Sequence, residues 1–411
     1  MTEPTPTPES VLALGGPVAT LVQQRCADLV AFRRDLHAHP ELAHEEKRTT
    51  QLVAERLEKH GLAVQLLPGT GLLAETGPAT TPSGATRLVG LRADLDALPL
   101  DDVTADPWRS EVPGVCHACG HDVHTTALLG AAMSLHDLHL QGRLPGRVRL
   151  IFQPAEEVMP GGAQDVVAAG GLAGVERVFA LHCDPSLDVG TVGLRDGPIT
   201  AASDSVHVRL TGRGGHTSRP HLTDDLTYAL AKVVTDVPAA LSRRVDPRAG
   251  LSVVWGVVRA GVARNVIPSL GELAGTVRML DVRAWDVAEE TVTRLVHEIV
   301  APYGVRAEVE YVRGVPPVVN EPVSAELLEA AAVAVLGAEA VRPAEQSMGG
   351  EDFAWFLEEV PGALLRLGTR TPGGPTYDLH QGDLRIDESA VPIGAALLAR
   401  VAVEALHYGE S

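Results

Sequence analysis

The chain has 411 residues, 45% of them hydrophobic and 21% charged, with a formal net charge of -19. That length exceeds one small core and suits two domains. The acidic balance argues against a nucleic-acid-binding surface, which selects basic patches, and against docking on anionic membranes.

In chain order, residues 1–16 read as a disordered leader, polar and Pro-rich, without the basic and apolar segments of a signal peptide. Residues 17–60 read as helical, interrupted where His39-Pro40 breaks the pattern. Short strands follow at 62–67 and 86–94, a helix at 124–138 and a strand at 147–153. A helix within GAQDVVAAGGL leads to a strand at 176–182. Strands alternating with helices predict an α/β fold with a mostly parallel, doubly wound sheet, whose chemistry gathers beyond the carboxyl ends of its strands.

After about 197 the order becomes β-α-β-β-α-β, from SDSVHVRLTG (203–212) to RAEVEYVRG (306–314), which predicts an inserted ferredoxin-like α+β domain. The α/β character returns near 315 and runs to the final helix. The expected division is therefore 17–197 with 315–411 for one domain, and 198–314 for the other. Apolar runs such as VVAAGGLAGV fall short of a membrane span. Four cysteines give no disulfide framework, so the cytoplasm is the expected compartment.

Chemistry concentrates in GVCHACGHDVHTTALLG (114–130), which packs Cys116, His117, Cys119, His121, Asp122 and His124 into nine positions. Haem attachment needs a histidine after C-x-x-C, where Gly120 stands; a zinc ribbon needs a second C-x-x-C, which Cys26 and Cys183 do not make. A redox pair and a mixed thiolate, imidazole and carboxylate metal site remain. Candidate partners for such a site follow other strands: Asp94 and Asp96, the pair Glu156 and Glu157, His182, and His380 on a late loop. A thiolate or a carboxylate can bridge two cations, and two cations can clamp the attacking and the carbonyl oxygens of a substrate. One carboxylate of the glutamate pair can ligate while its neighbour acts as general base.

Six stretches carry a resemblance: LRADLDALP (91–99), HACGHDVHTTALLGAA (117–132), LIFQPAEE (150–157), GRGGHTSRP (212–220), ARNVIP (263–268) and MGGEDFAWF (348–356). In this order the chain resembles the amidohydrolase branch of the aminoacylase/carboxypeptidase-type dinuclear metallohydrolases, from about residue 25 to 405. That branch includes hippurate hydrolases, indole-acetyl-amino-acid hydrolases and N-acetyl-diaminopimelate deacetylases.

The resemblance implies a zinc-peptidase-like catalytic domain interrupted by a lid and dimerisation domain. It implies two divalent ions per chain, zinc or manganese first, with cobalt or nickel as alternatives. Cys119 is then the bridging thiolate, and His121, Glu157, His182 and His380 complete the ligands. Glu156 is the general base acting on a metal-activated water, and Asp96 orients a ligand. His216 stabilises the oxyanion and comes from the partner subunit of a homodimer. Asn265 and Arg278 hold the carboxylate of the substrate. The implied reaction splits an N-acyl-amino acid into a carboxylic acid and a free amino acid. A dipeptidase or carboxypeptidase, or a catalytically silent binding protein, are the alternatives. Two departures stand out. Cys116 replaces the usual Met, which raises the expectation of oxidation at Cys119, and the continuation after His380 differs from the family's.

Overall fold

The structure, a computed structural model, describes residues 16–79 and 87–408. The expected leader lies outside the described residues except for Gly16, which opens the first helix.

Two compact units emerge. The first holds residues up to Gly197, Val319–Glu345 and those from Trp355 onward; the second holds Pro198–Val318 and Gln346–Ala354. Segment 346–354 joins the second unit through main-chain bonds: Ser347 N–H donates to Ile199 O at 2.9 Å, and Ala201 N–H to Gly349 O at 3.2 Å. These pairings link stretches far apart in the chain, so no local pattern announces them.

The first unit starts with α1 (Gly16–Gln23), α2 (Cys26–Ala38), α3 (Lys47–Lys59), β1 (Val64–Leu66), β2 (Leu72–Thr76), β3 (Leu88–Asp94) and α4 (His121–Leu140). It continues with β4 (Arg147–Gln153), α5 (Ala163–Ala168), β5 (Arg177–Asp188) and β6 (Val192–Leu194). The second unit supplies β7 (Ala202–Thr211), α6 (Leu226–Arg244), β8 (Ser252–Ala260), β9 (Leu270–Met279), α7 (Val282–Val300) and β10 (Arg306–Val315). The chain then returns to the first unit as α8 (Pro322–Leu336), β11 (Val341–Pro343), β12 (Gly362–Arg370) and α9 (Ala390–His407).

The first unit's sheet has eight strands in the order β1-β2-β4-β3-β5-β12-β6-β11. Its four central strands, β4-β3-β5-β12, are parallel, as is the edge pair β6 and β11. The remaining three pairs are antiparallel, so the sheet is mixed, with parallel pairing in the majority as expected. The cause at one edge is connection length. The five residues between β1 and β2 make a hairpin and cannot carry the long crossover that parallel pairing needs. Every residue of β3 is buried, as befits a central strand covered on both faces.

Helix α4 is buried from His121 through Leu135, so it has no polar face to read from the sequence. It packs on α9, and Gly130 lets them approach: a Cβ there would lie 2.8 Å from Leu29 Cδ1 and 3.0 Å from Ala395 Cβ. Helix α9 is long and apolar enough to span a membrane by composition, which corrects the sequence reading, yet most of it is buried in this core. The second unit's sheet runs β8-β9-β7-β10, all antiparallel, the order of a ferredoxin-like sandwich.

Candidate metal centre

The centre forms where three segments of the first unit end. Strand β3 runs out at Asp94 toward Asp96, β4 leads into the Glu156–Glu157 turn, and α4 begins at His121. Gly120, with φ 90°, turns the chain between Cys119 and the helix. A side chain would not fit there, because a Cβ would lie 2.8 Å from Cys183 Sγ.

Cys119 Sγ lies 3.5 Å from His182 Nε2. His121 Nε2 lies 3.8 Å from Glu157 Oε1 and 3.8 Å from Glu156 Oε2. His380 Nε2 lies 3.4 Å from Glu157 Oε2. Two trios, Cys119 with His121 and His182, and Cys119 with Glu157 and His380, each fit around a single ion, and they share the cysteine. All six residues that the sequence nominated for this centre are therefore neighbours.

The ring nitrogens are already sorted. His121 Nδ1–H donates to Asp96 O at 2.9 Å and His182 Nδ1–H donates to Cys183 O at 2.8 Å. Each ring therefore turns Nε2 toward the centre, as a lone pair on His182 and as a ligand once its proton leaves on His121. His121 Nε2 and Glu157 Oε1 are buried and make no hydrogen bond. Orphaned, converging donors of imidazole, thiolate and carboxylate type fit a divalent ion of the zinc class.

Burial pushes the Cys119 thiol well above its usual range, with Glu157 adding to it. Burial likewise holds His182 well below its usual range. For His121 burial acts downward, but Asp94 and Cys119 outweigh it and hold the ring well above.

The sequence profile of peptidase family M20/M25/M40 matches residues 90–404. The chain belongs to that family. A Rhodococcus jostii (strain RHA1) protein named putative glutamate–cysteine ligase 2-3 is 51% identical over 371 residues, 90% of this chain. The chain spans about half of that protein's length, 46%. N-acetylcysteine deacetylase of Bacillus subtilis (strain 168) is 37% identical over 380 residues, 91% of this chain and 96% of that one. Among solved structures, the Bacillus subtilis YXEP protein, a dinuclear metal-binding peptidase from the M20 family, matches with a TM-score of 0.81 at 34% identity. That match covers 94% of this chain and 99% of the other.

In this M20 chain the nominated residues outside the centre sit on the second unit. His216 is exposed; its Nδ1 accepts from Ser218 N–H at 3.1 Å, which leaves the ring proton on Nε2 when neutral. Asn265 is exposed beside it, and its carbonyl accepts from Thr217 N–H at 3.2 Å. Arg278 lies on β9, half-buried, opposite Ser203 and Ser252. Burial lowers its guanidinium from the usual value, and Asp204 counteracts that.

Sequence reasoning noticed Asp122 and His124 without giving them work. His124 Nε2 accepts from Cys183 N–H at 2.8 Å and its Nδ1–H donates to Asp94 Oδ1 at 2.6 Å. Both ring nitrogens are engaged, so His124 braces the backbone beside His182. Asp94 also takes Arg92 Nη1 at 2.7 Å. Asp122 anchors the start of α4 to α2, with Arg33 Nε at 2.8 Å and His37 Nδ1 at 2.8 Å. Cys116 is buried, and burial pushes its thiol up to about 12, which disfavours the thiolate.

Proposed function

We propose that the chain hydrolyses the amide bond of N-acyl-amino acids, releasing a carboxylic acid and a free amino acid. The single observation that carries this is the pair of three-ligand clusters sharing Cys119, with Glu156 against the same histidine that faces Glu157. The similarity to N-acetylcysteine deacetylase supports an N-acyl-amino acid as substrate.

When bound, two divalent ions would polarise the amide carbonyl and make the attacking water more acidic. Cys119, His121, Glu157, His182 and His380 would hold them. Zinc or manganese suits this donor set first, and cobalt or nickel next. Glu156 takes the proton of the water and passes it to the leaving amine. Asp96 fixes the pair by accepting Glu156 N–H at 3.0 Å on one oxygen and Glu157 N–H at 2.9 Å on the other. His216 of the partner subunit in a homodimer supplies a hydrogen bond to the developing oxyanion through Nε2–H. Asn265 and Arg278 bind the carboxylate of the amino-acid half. The edge strand β8 leaves Val254 and Val258 exposed, which supports a homodimer formed through the second unit.

The test is a screen of metal-reconstituted protein on N-acetyl, N-benzoyl and dipeptide substrates, beside Glu156→Gln. Turnover of the acyl compounds that falls about 10²–10⁴-fold in the variant is expected. Turnover of dipeptides alone would replace this reading with a dipeptidase, and equal activity of the variant would remove Glu156 as the base.

A further inference from the structure

The turn that presents Glu156 and Glu157 is held from a side that the ligand set does not explain. Three successive backbone N–H groups, those of Ala155, Glu156 and Glu157, all donate to buried carboxylates. The last two go to Asp96. The first goes to Glu46 Oε1 at 2.8 Å, across 109 positions of sequence. Glu46 is fully buried, and its other oxygen accepts from Thr70 Oγ1 at 2.6 Å.

Two further observations give this contact its meaning. Ala155 has φ 55°, a left-handed conformation that an alanine adopts at a cost of about 1–3 kcal/mol, so something must hold it. Glu46 stands at the N-cap of α3 yet makes no capping bond. Glu41 does that work instead, accepting Arg48 N–H at 2.9 Å and Thr49 N–H at 2.8 Å. A buried carboxylate that is not needed by its own helix is therefore spent on the strained residue just before the glutamate pair.

We propose that Glu46 is a positioning residue for the glutamate pair: held by Thr70, it fixes the Ala155 turn so that Glu157 faces the ligand cluster and Glu156 faces the substrate. The inference rests on the hydrolase reading only for the role of Glu156; for Glu157 it stands on the ligand cluster alone. Asp96 grips the two glutamates from one side and Glu46 grips the preceding amide from another. Without the second hold the turn can relax toward an ordinary φ and carry both carboxylates with it.

The experiment titrates metal-free parent, Glu46→Ala and Glu46→Gln with zinc by calorimetry, with folding checked by circular dichroism, and then measures kcat and KM. Glu46→Ala is expected to lose about 10–100-fold in zinc affinity and in kcat, with KM close to the parent's. Glu46→Gln keeps an oxygen for Ala155 N–H, and the Thr70 hydroxyl can rotate to accept from its amide, so affinity within about threefold of the parent is expected. Should Glu46→Ala not fold, Thr70→Val takes its place, with about tenfold losses expected in both readouts. A folded Glu46→Ala, or Thr70→Val in its stead, that binds zinc and turns over like the parent overturns the proposal, as does Glu46→Gln impaired as deeply as Glu46→Ala. A parent that binds zinc but cleaves no N-acyl-amino acid would refute the hydrolase reading and leave the positioning of Glu157 standing.

Discussion

His121 Nε2 and Glu157 Oε1 face each other at 3.8 Å, both buried and neither in a hydrogen bond. Each such orphan costs about 1–3 kcal/mol in a folded protein. A cation between them converts that cost into binding energy, so metal and fold are linked. Chelation should lower the melting temperature and added zinc should restore it. Saturation at a thousand times the dissociation constant corresponds to about 4 kcal/mol. Differential scanning calorimetry with and without chelator checks this; an unmoved transition would contradict it.

Metal uptake should release protons. Burial holds the Cys119 thiol well above its usual range, so it is protonated at neutral pH without metal, whereas an ion binds the thiolate. Affinity should therefore rise with pH. Calorimetric titrations in two buffers of different ionisation enthalpy measure the release, and Cys119→Ser should reduce it.

Asp122 ties the beginning of α4 to Arg33 and His37 with no exposed atom of its own side chain. Removing one member of a buried pair typically costs about 3–5 kcal/mol, because the other charge stays behind unpaired. Asp122→Ala should lower stability by that order in urea unfolding. A loss below about 1 kcal/mol would show that the pair is not what holds the helix start.

Burial holds His117 down at about 4, and neither ring nitrogen has a hydrogen bond. Above pH ~6.5 the ring is neutral folded and unfolded, and contributes nothing to the pH dependence. As pH falls from there toward 4, the unfolded chain takes up a proton that the folded one refuses. Stability then drops by up to about 1.4 kcal/mol per pH unit. Urea unfolding of the parent and His117→Phe at pH 7 and pH 5 isolates the effect, which the variant should lack.

The centre was legible because its cysteine and histidine types are scarce and concentrated in one nine-residue stretch, with Glu156, Glu157 and His182 at predicted strand ends. Cys119, His121, Glu157, His182 and His380 could be nominated before any geometry was known, His380 least securely because the stretch after it departs from the family's. Glu46 was not legible: in HEEKRTT it looks like one more charge at a helix start, and only its contact with Ala155 distinguishes it. The antiparallel pairs β1-β2, β2-β4 and β6-β12 within the mostly parallel sheet were not legible, because alternation of strands and helices says nothing of the direction in which a given strand pairs. Segment 346–354 gives no sequence sign of its pairing near Ile199, because those partners lie about 150 residues away. The β-α-β-β-α-β order, by contrast, was readable element by element, helped by the alternation of SDSVHVRLTG.

The most direct test of the account is metal X-ray absorption on zinc-reconstituted protein, with zinc content measured in the same sample. Two ions per chain are expected, with sulfur at about 2.3 Å that disappears in Cys119→Ser. A parent that binds no zinc, or two ions with only nitrogen and oxygen neighbours, would contradict a centre built around that cysteine.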